Sequence, residues 1–131
     1  MNTPENIQSL KSNEIFVFGS NTLGRHGAGA AKQAMKFGAK YGQARGLQGQ
    51  TYAIETKNLA LGSRSIEIEE IRKQVADMYA VAMSKPHMVF LVTKIGTGLG
   101  GFTVDEMRRA FVGLAKPLNV ILPKEFEDVA I

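Results

Sequence analysis

Residues 14–34 read EIFVFGSNTLGRHGAGAAKQA. The first five, EIFVF, are a compact, β-prone apolar run and predict a strand. A glycine-rich stretch follows. From Gly27 to about Lys40, Ala30, Ala31, Ala34, Met35 and Gly38 recur on one face. That spacing predicts a helix whose small residues let it lie close on a sheet. The helix opens with no acidic residue near it, although a helix N-terminus exposes unpaired N–H groups and the positive end of a dipole. Two readings account for this. Either a bound anion takes the place of the acid, with glycines letting its oxygens approach the backbone, or Ser20 or Asn21 caps a turn and water does the rest.

A second strand, glycine-rich loop and helix follow later in the chain, without an internal repeat of sequence. HMVFLVT (87–93) is a near-continuous apolar strand, and KIGTGLGGF (94–102) is a second glycine-rich loop. Thr103 and Glu106 predict a capping box, with Met107, Ala110, Phe111 and Leu114 as the core stripe of the helix it opens. Four glycines in residues 96–101 exceed what a plain turn requires. Gly96, Gly98 and Gly101 nominally match the dinucleotide fingerprint. That fingerprint needs an acid at the end of the next strand of a βαβ unit, and here only one strand follows, with Glu125 just beyond it.

Between these units, residues 41–50 read as a loop and TYAIET (51–56) as a strand. Ser65 reads as the N-cap of a helix with Glu67, Glu69 and Glu70 in its first turns, and Ile68, Ile71, Val75, Met78 and Ala82 as its core stripe. LNVIL (118–122) is the last strand. The order β-α-β-α-β-α-β predicts an α/β fold with a mostly parallel central sheet and helices on both faces. In such folds ligands bind outside the carboxyl ends of the strands, where both glycine loops fall.

The chain has 131 residues, 44% hydrophobic and 21% charged, which predicts one domain with its own core. Residues 1–13 read as a polar, partly ordered N-terminal segment and residues 14–131 as the domain. No apolar run is long enough for a bilayer, and no basic-then-apolar leader pattern opens the sequence. With no cysteine, thiolate metal sites and cysteine nucleophiles are excluded. The reading is a cytoplasmic protein. Net charge is +4, unevenly spread: no Asp or Glu lies between Glu14 and Glu55, a stretch holding Arg25, Lys32, Lys36, Lys40 and Arg45. Such a segment is either a solvated lysine face or a surface for an anionic partner.

These residues resemble the macro domain, the module that binds ADP-ribose. Asn21 stands where the family's first core motif ends in asparagine. Gly27-Ala28-Gly29-Ala30-Ala31 is similar to its first substrate loop, and Ile95-Gly96-Thr97-Gly98-Leu99-Gly100-Gly101-Phe102 to its diphosphate-gripping loop. The resemblance runs from about Glu14 to Leu122 and is greatest to the terminal ADP-ribose protein glycohydrolase type, whose Thr-Lys pair is matched by Thr56-Lys57. It implies a three-layer αβα fold and an ADP-ribose or ADP-ribosylated ligand. In that subgroup the lysine attacks the anomeric carbon and a loop-two aspartate assists. Three departures stand out: the aspartate is replaced by Gly100, the loop-one acid of another macro group by Ala31, and residues 1–13 lack the Gly-Asp stretch that fixes adenine.

The candidate catalytic residues are therefore Lys57 as nucleophile and Asn21 as the group that holds the distal ribose. Candidate ligand contacts are Ser20, Asn21, Arg25 and His26, the backbone of Gly27, Ala28 and Gly29, and Gly96 through Phe102, including Thr97, Gly98, Leu99, Gly100 and Gly101. Each has a plain structural alternative: a surface lysine, a loop histidine, a solvated arginine, a core phenylalanine. No His, Asp or Glu cluster has metal spacing, so no metal or cofactor is expected. Three functions follow: an ADP-ribosyl glycohydrolase, a nucleotide-binding module without chemistry, or a domain that binds nucleic acid through the basic stretch.

Overall fold

The computed structural model describes residues 1–62, 65–98 and 100–127. Strands β1 (Glu14–Asn21), β2 (Gly46–Gln48), β3 (Thr51–Lys57), β4 (Val89–Val92) and β5 (Val120–Ile121) form one sheet in the order β2-β3-β1-β4-β5. Helices α1 (Gly29–Met35), α2 (Ile68–Met83) and α3 (Val104–Arg108) and a 3-10 turn at Lys124–Phe126 complete the described residues. Arg64, Ser63, Leu99 and the predicted end of the domain, 128–131, lie outside them.

β1 runs parallel to β3 and β4, and β4 parallel to β5, but β2 is antiparallel to β3. The sheet is therefore mixed, which corrects the expectation of a mostly parallel one. Residues 46–48, read from the sequence as loop, form a hairpin with β3 through a turn at Gly49-Gln50. GLQ has no β-branched residue and no alternation to betray a strand. Its place is fixed from outside. The buried Gln48 side chain accepts from Lys40 N at 2.7 Å, and Thr51 Oγ1 donates to Gln48 O at 2.6 Å.

β1 alternates cleanly. Ile15 and Val17 join one core with Ile71, Val75 and Met78 of α2 and Met107 of α3. Phe16 and Phe18 join another with Ala31 and Ala34 of α1 and with Ile7. Each large apolar side chain buried this way contributes about 1.5–3 kcal/mol.

α3 opens on the expected capping box: Thr103 Oγ1 accepts from Glu106 N at 3.1 Å, and the Glu106 carboxylate from Thr103 N at 3.0 Å. α2 does not open at Ser65. Its N-cap is Glu67, without a side-chain cap. The Ser65 hydroxyl accepts from Asn58 N at 2.8 Å and donates to Gly62 O, so the preceding loop uses it instead. α1 is shorter than the predicted Gly27–Lys40.

The N-terminal segment packs on the sheet. Thr3 N and Oγ1 donate to Leu122 O and Ile121 O, each at 3.0 Å, and Gln33 Nε2 donates to Ile7 O at 2.9 Å. Among the described residues no helix is long and apolar enough to cross a membrane.

Candidate functional site

Neighbouring parallel strands β1 and β4 send their chains in opposite directions. β1 leads through the first glycine loop to α1 and on to β2 and β3. β4 leads through the second to α3, which packs in the other core, and on to β5. Diverging connections leave a crevice at the carboxyl ends of the strands. A cleft of about 530 Å³ lies there. Ser20 and Asn21 from the end of β1, and Arg25, Gly27, Ala28 and Gly29 from the first loop, form one wall. Gly96, Gly98 and Gly100 form the other. The floor carries Thr56 and Lys57 from the end of β3, and Thr93 and Lys94 beyond β4.

The second loop rests directly on β1. A Cβ built on Gly19 would meet Gly96 N at 3.3 Å and Thr56 Oγ1 at 3.2 Å, so only a glycine lets the two backbones come this close without a shift. The first loop is bracketed by Asn21. Its Oδ1 accepts from Leu23 N at 3.3 Å and Arg25 N at 2.9 Å, and its Nδ2 donates to Arg25 O at 2.8 Å. Beyond this bracket α1 has Ala28 as its N-cap, without a side-chain cap and with no acid in its first turn.

Ser20 pairs with Glu55, but Asn21 pairs with Lys57, because the register slips by one residue between Ser20 and Asn21. Slips of this kind re-aim side chains at the ends of strands. Here the slip puts Asn21 and Lys57 side by side on the cleft. Glu55 is turned away. Its carboxylate is bound by Arg45, which also donates to Glu70 at 2.7 Å. These hydrogen bonds raise the Arg45 guanidinium above its ordinary range and hold the half-buried Glu70 carboxyl below its own.

The cleft gathers most of the sequence-predicted residues, and places others elsewhere. His26 is 2% exposed and sits beneath the loop, its ring edge-on to Phe18. Its Nε2 lies 3.1 Å from Gln43 O and 3.3 Å from Gln48 Oε1. Phe102 is buried in the core with α2 and α3. Gly101 does not wall the cleft, and Thr97 borders an adjoining one, its hydroxyl donating to Lys94 O at 2.8 Å. The predicted contact at Leu99 lies outside the described residues.

That adjoining cleft, also about 530 Å³, shares Gly29, Ala30, Thr93, Lys94 and Gly98 with the first. The two form the lobes of one groove. The N-terminal segment and residues 123–125 wall the second lobe, with apolar surface from Pro4, Ile7, Phe16 and Pro123 and carboxylates from Glu5 and Glu125. The first lobe carries Arg25, Lys57 and Lys94 and, among its described residues, no carboxylate. Lys94 Nζ lies 3.7 Å from Glu125 Oε2.

Sequence reasoning missed Lys94 and the N-terminal wall. A signal for Lys94 existed: Thr93-Lys94 repeats the Thr56-Lys57 pattern at the end of a strand. Polar residues 2–5 carried none. Among the described residues no group of three His, Cys, Asp or Glu could hold a metal ion. Compared with protein-family models, curated proteins and solved structures, the chain shows no significant match.

Proposed function

We propose that the protein binds a nucleotide bearing a diphosphate, of the ADP-ribose class, in the two-lobed groove. One observation carries this reading. Two glycine-rich loops converge at the switch point of the sheet on a lobe with three cations and, among its described residues, no carboxylate. Backbone N–H groups and cations together are what a diphosphate requires. The second lobe supports the nucleotide half of the reading, because an apolar slot rimmed by both carboxylates (Glu5, Glu125) and ammonium groups (Lys94, Lys124) offers acceptors and donors to the polar edge of a base. The switch-point loops also support a macro-like arrangement of layers around the sheet. An ADP-ribosylated macromolecule would present its modification to the same groove.

Hydrolysis is a second reading, favoured by the pairing of Asn21 with Lys57 on the cleft. In this version Asn21 orients the distal ribose, and Lys57 attacks its anomeric carbon. The attacking nitrogen is the neutral amine. The leaving group departs with the bonding electrons and takes up the proton that the nitrogen sheds, and water then releases ADP-ribose and regenerates the lysine amine. Binding to nucleic acid through the exposed Lys32, Lys36 and Lys40 has less support, since the structure places these lysines along α1 and just beyond it, outside the groove.

Calorimetric titration with ADP-ribose, AMP and inorganic diphosphate, at two salt concentrations, tests the reading. The expected result is micromolar binding of ADP-ribose with weaker binding of the two fragments. No binding of either ADP-ribose or inorganic diphosphate overturns it.

A further inference from the structure

The two lobes of the groove meet at Lys94, which walls both, whereas Glu125 walls only the second. Their side chains are 41% and 25% exposed and stand 3.7 Å apart. That is beyond hydrogen-bond length, so charge alone joins them. Both backbones are anchored. Thr97 holds the Lys94 carbonyl through its hydroxyl at 2.8 Å, and the fully buried Phe126 fixes the turn that carries Glu125. Only the two side chains are left to move.

We propose that Lys94 is the specificity-determining cation of the groove, held by Glu125 until a ligand phosphate takes it over. The inference rests on the nucleotide reading above. Gly29 and Gly98 also border both lobes, so a phosphate at the waist meets two glycine backbones and the Lys94 ammonium together. A half-exposed ion pair is weakly held, while a charge-assisted hydrogen bond to phosphate is strong, so the exchange runs toward the ligand. Glu125 is then released into the second lobe. There its carboxylate accepts from an N–H or hydroxyl of the nucleoside half. A ligand without phosphate at the waist leaves the pair closed, so the groove selects nucleoside diphosphates over nucleosides.

The test titrates wild type, Lys94→Met, Lys94→Arg and Glu125→Gln with ADP-ribose and with inorganic diphosphate. Circular dichroism melts first establish that each variant folds. Glu125→Gln removes a competitor for Lys94 and tightens inorganic diphosphate about three- to fivefold. Its gain for ADP-ribose is smaller, because the nucleoside half loses a charged acceptor. Lys94→Met weakens both probes about tenfold, and Lys94→Arg restores most of the loss. In the Lys94→Met background the gain from Glu125→Gln disappears, which shows that the two residues act through one another. Wild-type binding that stays within twofold in Lys94→Met, or no gain for inorganic diphosphate in Glu125→Gln, overturns the role of Lys94 and leaves the nucleotide reading standing. Wild type that binds neither probe overturns the nucleotide reading itself, and the inference with it.

Discussion

Asn21 and Lys57 are cross-strand partners on the parallel pair β1 and β3, brought together by a one-residue slip just before the strands end. Without the slip, Asn21 would face Thr56, whose side chain is buried. The two residues that a glycohydrolase would use therefore share one edge of the cleft. The prediction is a split between chemistry and affinity. Lys57→Ala should abolish release of label from an ADP-ribosylated substrate, while the calorimetric Kd for ADP-ribose rises by less than about tenfold, the loss of one charged contact. Label release by the variant at the wild-type rate removes Lys57 from the mechanism.

Gly100 lies against the Gly96 backbone. A Cβ there would come within 2.8 Å of Gly96 O and 3.0 Å of Gly96 Cα. Both contacts are backbone, so no side chain can swing aside. Gly100→Ala must push the second loop off its seat, at a cost of about 1–3 kcal/mol. ADP-ribose affinity should fall by about tenfold or more. Urea unfolding and titration on the same preparation check both effects, and an unchanged Kd would show that the loop does not grip the ligand. The same crowding leaves no room for an aspartate side chain at this position in the present loop conformation.

His26 acts on the site from below. Its Nε2 faces two acceptors, the Gln43 carbonyl and Gln48 Oε1, so the ring proton belongs there. The orientation of Gln48 is consistent, since the same oxygen accepts from Lys40 N at 2.7 Å. His26→Ala leaves a hole beside Phe18 and removes the ring's hydrogen bond, while Gln43 O and Gln48 Oε1 keep Gln48 Nε2 and Lys40 N as donors, and should lower stability by about 1–3 kcal/mol. A lower urea midpoint with a similar slope is the expected result. An unchanged midpoint would mean that the loop is not anchored through this ring.

Tyr79 on α2 gives the protein an alkaline limit. Burial pushes its phenol up to about 12 from an ordinary 10, partly offset by Arg72. Tyr52 is raised in the same direction by burial. The folded state thus keeps a proton that the unfolded chain releases. This stability is fully present below pH 10 and is lost as pH rises through 12. Its size is roughly 2–3 kcal/mol for Tyr79. Urea midpoints measured across that interval should fall in wild type and fall less in Tyr79→Phe. Equal slopes in the two would assign the loss to other groups.

The strands that carry the site were legible in the sequence because their apolar runs are long and β-branched, as in VFLVT. The capping box at Thr103 was legible because it uses local side chains. β2 was not, since its pairing comes from β3 and from buried Gln48 rather than from its own residues. Ser65 misled for the opposite reason. It has the chemistry of a cap, but a loop carbonyl and an amide reach it first. The glycine loops announced a groove but not its extent. Lys94, Glu125 and the N-terminal residues meet only after the sheet has assembled, so no sequence window contains them.

Thr3 is tied to Ile121 and Leu122, residues at the opposite end of the described chain. This clasp sets the order in which the protein can mature. During synthesis the first glycine loop emerges early, and Ile7 can pack on β1 and α1 once these have formed, but Thr3 has nothing to fasten to until β5 has been made. Contacts so distant in sequence form late, after their closure entropy has been met. A nascent chain therefore carries the first glycine loop well before the second lobe of the groove is walled, and on the nucleotide reading proposed above its hold on the nucleoside half arrives only with β5.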